Sequence, residues 1–518
     1  MSSIKKNFSY NLVYQILNLV ILLVTSPYIA RVLGPDKSGI YSYTYSVANF
    51  FLLAAMLGVN NYGNRSIALI RDDKEKLSKT FSSIYVLQLL TSAISVTAYV
   101  IYLVWIIDAN RTVALVQGVY LMSAAFDINW FFFGLEKFKL TVTRNMVIRI
   151  LSLVGIFVFV KDQNDLILYT FVMAGSQLLS TLALWPYVRK LTKFRRPTWV
   201  EVAHHIKPNL VLFIPVLAIS IYNVMDKIML GIMSTDAQVG YYEYSERILQ
   251  IPMAIINALG MVMLPRMSNL VQKGEKELSR KYIANSMYFT IWISMATTFG
   301  LAAIAPVFTV VFYGKQYTAC IALITALTVM IPCKAWANVV RTQYLLPNSQ
   351  DMIYVVSVIA GAVVNVVLNA ILITRYDAMG AVIATIFAEY TVMLIQTFKT
   401  RKELEFGNYL KKSWIYVVFG IIMYIAVSFI GNGRKASVLL LLIELAAGGV
   451  VYCGLSIGYL LLTGKADMLK KRKSKHEKGE YYEKQNEPIK GSGYPYGSRC
   501  CSRKFTDSGN GTGRGSRE

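Results

Sequence analysis

Charge is scarce in this chain: 16% of its 518 residues are Asp, Glu, Lys or Arg, while 55% are hydrophobic. Soluble domains carry about 25% charge and interrupt their apolar runs more often, so an ordinary soluble protein is excluded. Cysteine is sparse as well. Cys320, Cys333, Cys453, Cys500 and Cys501 show no metal-ligand spacing, and the first three fall in apolar runs where a small soft side chain is ordinary packing. No G-x-x-x-x-G-K-[ST] phosphate loop occurs; Gly464–Lys465 lacks both the spacing and the hydroxyl, which excludes direct ATP hydrolysis by that device. No metal, cofactor or catalytic residue is expected. No A-x-A cleavage site follows the first apolar run, so that run reads as a span rather than a signal peptide.

Acidic residues are outnumbered 29 to 53, a net charge of +24. The location of the excess argues against a nucleic-acid partner. Residues 466–518 hold thirteen Lys/Arg and seven Asp/Glu, a net of +6, and most of the remainder sits in short loops. Apolar runs of about twenty residues, enough to cross a bilayer, recur near 11–33, 39–60, 81–107, 112–134, 142–161, 165–188, 209–233, 240–264, 282–313, 319–340, 352–374, 378–398, 412–430 and 437–463. With the N-terminus inside, the inner loops carry clusters such as Arg71, Lys74, Lys76 and Lys79, or Arg189, Lys190, Lys193, Arg195 and Arg196. The outer loops carry only scattered cations, such as Arg111, Lys161 and Lys315. That alternation is the positive-inside pattern and puts both termini in the cytoplasm. The expected fold is an all-α polytopic membrane protein of about fourteen transmembrane helices.

A repeat organises these spans. Gly39, Tyr41 and Tyr43 recur 201 positions later as Gly240, Tyr242 and Tyr244; Arg65 recurs as Arg266, Ser78 as Ser279, Lys79 as Arg280 and Phe81 as Tyr282. The offset covers six spans, an even number, so both copies start from the same side. The halves are then related by a pseudo-two-fold axis along the membrane normal, as in transporters that rock two bundles around a central site. The expected organisation is a six-helix bundle over 1–188, a basic cytoplasmic linker over 189–208, a second six-helix bundle over 209–398 and an appended helix pair over 399–465. The polar, basic tail over 466–518, Gly/Ser-rich near its end, is expected to be disordered. The outer loops are short and offer no place for the catalytic domain of a glycosyltransferase or polymerase.

Ionisable residues inside spans are costly and point to function by default. The richest group is Asp226 and Lys227 with Glu243, Glu246 and Arg247. Its counterparts in the first half are Thr25, Ser26, Ser42, Tyr45 and Ser46, none charged. Glu243 and Arg247, spaced i,i+4, could simply neutralise each other on one helix face. Arg31 follows Pro27 at an outer helix end, where snorkelling to the interface is an equal reading. Lys334 follows Pro332 inside an apolar run, and Glu389 lies in the twelfth span. Arg65 and Arg266 read as topology and packing determinants. Arg31, Lys227, Arg247 and Lys334 would together suit an anionic cargo, since each charge pair at about 4 Å is worth roughly 4 kcal/mol before desolvation at an effective dielectric near 20.

Several segments resemble polysaccharide repeat-unit flippases of the Wzx type, in the multidrug/oligosaccharidyl-lipid/polysaccharide exporter superfamily. They are Ser26-Pro-Tyr-Ile-Ala-Arg-Val-Leu-Gly34 with Gly39-Ile-Tyr-Ser-Tyr43, Asp226-Lys-Ile-Met-Leu-Gly231, Gly240-Tyr-Tyr-Glu-Tyr-Ser-Glu-Arg247 and Leu264-Pro-Arg-Met-Ser268, then Asn365 with Asn369, Gly380-Ala381 and Glu389. The resemblance implies a twelve-helix core alternating between inward- and outward-open states. It implies an undecaprenyl-pyrophosphate-linked oligosaccharide as cargo, membrane lipids as surroundings, and the pathway's polysaccharide polymerase and glycosyltransferases as candidate protein partners. It also implies that the last two spans extend a groove for the lipid tail, and that Asp226, Glu243, Glu246 or Glu389 carries a coupling H⁺ or Na⁺. A cation-coupled drug antiporter of the same superfamily is the alternative, and would favour an acidic, aromatic cavity over a cationic one.

Overall fold

The computed structural model describes residues 2–463, and among them every regular element is helical. The expected tail over 466–518 lies outside the described residues. The first helix, α1 (Ser2–Met56), is broken at Gly34, whose φ of 72° is the left-handed conformation that glycine adopts without strain. Pro35 follows immediately and cannot donate to the preceding turn. α2 (Val59–Ile70) leads to α3 (Lys74–Trp105). Asp73 caps α3 by accepting from the backbone N–H of Glu75 and Lys76, both at 3.1 Å. Those bonds, above all that from Lys76, hold its carboxyl below the usual carboxylate range.

α4 (Arg111–Phe126) stops where Asp127 turns extended and accepts from the N–H of Asn129, starting α5 (Asn129–Gly134). α6 (Phe138–Phe159) and α7 (Leu166–Leu182) follow, then the single turns α8 (Trp185–Val188) and α9 (Trp199–Ala203). The stretch between α8 and α9 is fastened to α3: Thr192 Oγ1 donates to Ser78 Oγ at 2.8 Å, and Lys79 pairs with Glu201 at 2.7 Å. Next come α10 (Ile206–Met233), α11 (Asp236–Gln272), α12 (Lys276–Phe312), α13 (Cys320–Leu327) and α14 (Ile331–Val340). α15 (Asp351–Thr400) is broken at Asp377, φ 49°. α16 (Phe406–Ser413), α17 (Ile415–Gly431) and α18 (Val438–Leu462) end the described chain.

Among the described residues eleven segments are long and apolar enough to cross a membrane, which makes this a multi-pass membrane protein. Two of them, 54 and 50 residues long, contain the breaks at Gly34 and Asp377. At 1.5 Å per residue each is more than twice the ~30 Å hydrocarbon thickness. Counting each as two crossings and adding α4 with α5 gives the fourteen expected spans, although several helices overrun them: α2 reaches Ile70 and α11 reaches Gln272, beyond the expected span ends near 60 and 264.

Compact packing divides the chain after Ser456, and of the second unit the described residues are 457–463. Within the larger unit, one end of the bundle gathers Gly34, Gln163 and Gln316, with Asn110 bonded to Asp236 and Ser234 to Asp377. The opposite end carries ion pairs between helix ends, Arg71–Glu136 at 2.6 Å and Arg280–Glu403 at 3.1 Å. Between them, the core of the first six spans is aromatic: Phe81, Trp130, Phe131 and Phe132 are at most 1% exposed. Gln88 ties that core down, donating to the Ala124 carbonyl at 2.6 Å and accepting from Trp130 Nε1 at 2.9 Å. Satisfying both ends of a buried amide avoids a penalty of about 1–3 kcal/mol. α17 and α18 lean on α12, where Gly420 leaves room for Phe299 and Tyr452 donates to the Trp292 carbonyl at 2.8 Å.

Candidate functional site

The two copies of the repeated Gly-x-Tyr-x-Tyr segment meet face to face. α1 and α11 approach so closely that a Cβ on Gly39 would overlap the Asp236 carbonyl, and one on Gly240 would overlap the Pro35 carbonyl. Only glycine permits this contact at either position, which explains why glycine opens both copies. Around it Ser38 Oγ lies 3.4 Å from the Tyr244 hydroxyl, and Gln316 Nε2 donates to the Ala30 carbonyl at 2.8 Å. The Gly34 end is therefore closed along this contact.

The sequence-predicted charges divide into three groups below this seal. Lys227 Nζ on α10 lies 2.6 Å from Glu243 Oε2 and 3.0 Å from Glu246 Oε2 on α11. Arg247 Nε donates to Glu243 Oε1 at 2.6 Å. Ser42, the repeat counterpart of Glu243, donates to Glu243 Oε2 at 3.0 Å, so one acid ties both copies of the repeat together. Arg247 Cζ also stacks 5.0 Å from the centre of the Tyr244 ring. The i,i+4 pairing of Glu243 with Arg247 is present, but it is half of a four-residue network with no net charge.

Lys334 on α14 pairs with Glu389 on α15 at 2.7 Å, and both line a cavity of about 360 Å³ with Glu246, Arg341, Gln250 and Asn257. Glu246 thus borders both the network and this cavity. Arg341 lies 5.3 Å from the Tyr354 ring centre.

Asp226 stands apart from its neighbour Lys227. It is 3% exposed, and its carboxylate accepts four hydrogen bonds: Asn365 Nδ2 at 2.9 Å and Asn369 Nδ2 at 2.6 Å on Oδ1, Tyr242 Oη at 2.5 Å and Thr385 Oγ1 at 2.8 Å on Oδ2. These donors come from both arms of α15 and from α11. The partner that Asp226 requires is a ring of neutral oxygen- and nitrogen-bearing groups, not a cation. Asn365 and Asn369 are visible in sequence as an i,i+4 amide pair inside an apolar run; Thr385 and Tyr242 carry no such signal. Among the described residues no group of three or more His, Cys, Asp or Glu converges as a metal site.

Arg31 is brought to none of these groups. Its side chain is exposed at the Gly34 end and donates to the Val311 carbonyl. Arg65 borders a groove between α2 and α10 with Lys207 and Leu69, and Arg266 lies over the Tyr282 ring, 4.1 Å from its centre. Three of the four predicted cations therefore have carboxylate partners, so these side chains form internal ion pairs rather than an unpaired positive lining.

The family described as "Polysaccharide biosynthesis protein" matches residues 4–271, more than half of the chain. Among curated proteins, a "Putative O-antigen transporter" of Shigella dysenteriae is 22% identical over 394 residues, covering 75% of this chain and 98% of the relative. A "Probable low-salt glycan biosynthesis flippase Agl15" of Haloferax volcanii is 22% identical over 444 residues, covering 83% of this chain and 91% of the relative. Among solved structures, one described as "Lipid II flippase MurJ, inward closed conformation" aligns with a TM-score of 0.64 at 16% identity, over 85% of this chain and 99% of that one. At that identity the likeness establishes a shared fold. The relatives named here are transporters and flippases.

Proposed function

Because the chain belongs to the polysaccharide biosynthesis protein family, we propose that it is a flippase for lipid-linked oligosaccharides. In this reading it carries undecaprenyl-pyrophosphate-linked repeat units from the inner to the outer leaflet of a bacterial cytoplasmic membrane, supplying capsule, exopolysaccharide or O-antigen-type polymer. Both termini are cytoplasmic, so the Gly34 end faces outward. Residues 1–188 and 209–398 act as the two moving bundles, 189–208 joins them, and 399–465 adds the helix pair that meets the lipid tail. The chain performs no catalysis; it changes which side its cavity faces.

The observation that carries this reading is the network of Lys227, Glu243, Glu246 and Arg247 where the two repeats meet. A pyrophosphate cannot cross hydrocarbon unaided, since burying an unpaired charge is far costlier than exchanging one partner for another. Here the carboxylates of Glu243 and Glu246 stand where the cargo's phosphates would compete. Lys227 and Arg247 release their internal acids to hold the pyrophosphate, and re-form those pairs when it leaves. Because Ser42 and Glu243 also join the two copies, this exchange loosens the seal beside Gly39 and Gly240 and couples cargo binding to opening. Lys334 with Glu389 offers a second exchange of the same kind deeper in the cavity, and Arg31 meets the cargo at the outer mouth.

Asp226 supplies ion coupling. Hard oxygen donors suit H⁺ or Na⁺, and rotating the amides of Asn365 and Asn369 would turn their Oδ1 atoms toward the carboxylate. Outward movement of an anion is itself favoured by about 2.3 kcal/mol per charge per 100 mV in an inside-negative cell. The test is a deletion strain. Lipid-linked repeat units should accumulate in its inner leaflet while their synthesis continues, and a strain that exports polymer normally without accumulation would refute the proposal.

A further inference from the structure

The first bundle encloses a cavity of its own, about 310 Å³, between α1, α4, α6 and α7. Its walls differ in kind from those of the cavity in the second half. One wall is aromatic: Tyr41 stacks on Tyr45 with ring centres 5.8 Å apart, and Tyr45 meets Tyr120 at 5.0 Å. The Tyr45 and Tyr120 hydroxyls lie 3.4 Å apart along that wall. The facing wall is built by α6. There Arg144 is held flat by three carbonyl-type acceptors: Asn129 Oδ1 at 3.0 Å, the Ser180 carbonyl at 2.6 Å and Asn145 Oδ1 at 3.1 Å. Asn129 is oriented in turn by Asp127, which accepts its Nδ2 at 2.6 Å. No carboxylate is among the lining residues, whereas the second half places Glu246 at the repeat position of Tyr45 and adds Glu389.

One lining group has no partner. Gln117 on α4 is 1% exposed, and its Nε2 donates to no group among the described residues. Buried amides are nearly always satisfied, and an orphaned donor in a polar cavity needs a specific account. A ligand acceptor would supply one. Tyrosine faces match the C–H face of a pyranose ring, while amide and guanidinium edges match its rim of hydroxyls. The volume falls at the small end of ligand sites, which span about 300–1,000 Å³.

We infer that this cavity is a glycan-binding subsite, in which the tyrosine wall stacks a sugar ring of the cargo and Gln117 donates to one of its oxygens. The inference rests on the flippase reading for the identity of the cargo. It separates two tasks within the molecule: the first bundle holds sugar, and the charged network between the repeats holds pyrophosphate. Such a division would let the wall of one bundle set which glycan is accepted while the anion site serves any lipid-linked cargo.

The test uses the full-length protein in lipid nanodiscs. One probe is the oligosaccharide released by mild acid from the host's own lipid-linked repeat units, which carries no phosphate; the other is inorganic pyrophosphate. Saturation-transfer NMR reads the first and calorimetry the second. Gln117→Met removes the donor with an unbranched side chain that cores tolerate, and Tyr45→Phe is a milder second variant that keeps the ring. Glycan affinity should fall about tenfold in Gln117→Met, the worth of one well-made buried hydrogen bond, and measurably in Tyr45→Phe. Pyrophosphate affinity should stay within about twofold in both, which also reports that the variants fold. Wild-type protein that fails to bind the glycan, unchanged glycan affinity in both variants, or pyrophosphate affinity lost with Gln117→Met would each overturn the subsite. None of those results touches the deletion-strain phenotype, so the subsite can fail while the flippase reading stands. Conversely, absence of accumulation would remove the flippase reading without changing the binding result.

Discussion

Arg247 is the residue at which a structural and a transport role can be told apart by charge arithmetic. Lys227 and Arg247 contribute two positive charges to the network, and Glu243 and Glu246 two negative ones. The four side chains are 12–25% exposed, so solvent screens them only partly. At an effective dielectric near 20 a pair at about 4 Å is worth roughly 4 kcal/mol before desolvation, and removing one partner of a buried pair costs about 3–5 kcal/mol. Glu243→Gln should be the more damaging single change, because both cations lose their shared acid and the cluster is left at +1. Arg247→Gln leaves it at −1 with the Lys227 contacts intact and should cost less. The double variant keeps the neutral Lys227–Glu246 pair and should recover most of the loss, a coupling of about 2–4 kcal/mol in a denaturation cycle on the purified chain. Additivity within about 0.5 kcal/mol would refute the network. Polymer export supplies the second readout. Arg247→Gln and the double variant should both export at least tenfold less polymer at normal membrane abundance, the 1.4 kcal/mol that one lost anion contact exceeds. If the double variant exports normally, Arg247 is a structural salt-bridge partner and its cargo role is wrong.

Asp226→Asn should abolish the dependence of export on the ion gradient while leaving insertion intact, since its amide cannot be charged and can keep Oδ1 toward the Asn365 and Asn369 amides while its Nδ2 donates to the Tyr242 and Thr385 hydroxyls; export that still follows an imposed Na⁺ or H⁺ gradient would exclude Asp226 as the coupling group. Gly39→Val should force α1 and α11 apart at an overpacking cost of about 1–3 kcal/mol or more, and cysteine probes near Asp236 should become accessible from outside; unchanged accessibility would contradict the seal. Impermeant labelling should find Lys402 and Lys435 on opposite faces of the membrane, and labelling of both from one side would break the fourteen-span topology.

The helical framework was legible because bilayer thickness and apolar run length impose it directly. Even the two crossings hidden inside α15 were readable, since Arg375 and Asp377 interrupt an otherwise apolar stretch. The repeat was readable too, and the meeting of Gly39 with Gly240 gives its conserved spacing a physical cause: two helix backbones in contact leave no room for a Cβ. Pairing was much less legible. Lys334 and Glu389 each stood out alone, but their 2.7 Å contact joins positions on different helices, and no periodicity links them. The ring around Asp226 draws on Thr385 and Tyr242, residues that look like ordinary packing in a span. The cavity holding Gln117 was invisible for the same reason: tyrosines and amides scattered through apolar runs gain meaning only when α1, α4, α6 and α7 bring them to one space.

The central claim is movement of a lipid-linked oligosaccharide between leaflets, and the direct measurement is in proteoliposomes containing only this chain. Undecaprenyl-pyrophosphate-linked oligosaccharide, labelled on the sugar, is placed in both leaflets, and its accessibility to an impermeant lectin or glycosidase is followed over time. The flippase account predicts that the protected half becomes accessible at a rate proportional to protein content, and that Arg247→Gln slows it at least tenfold. Protection that persists in the presence of folded wild-type protein, under an imposed ion gradient and membrane potential, would contradict it.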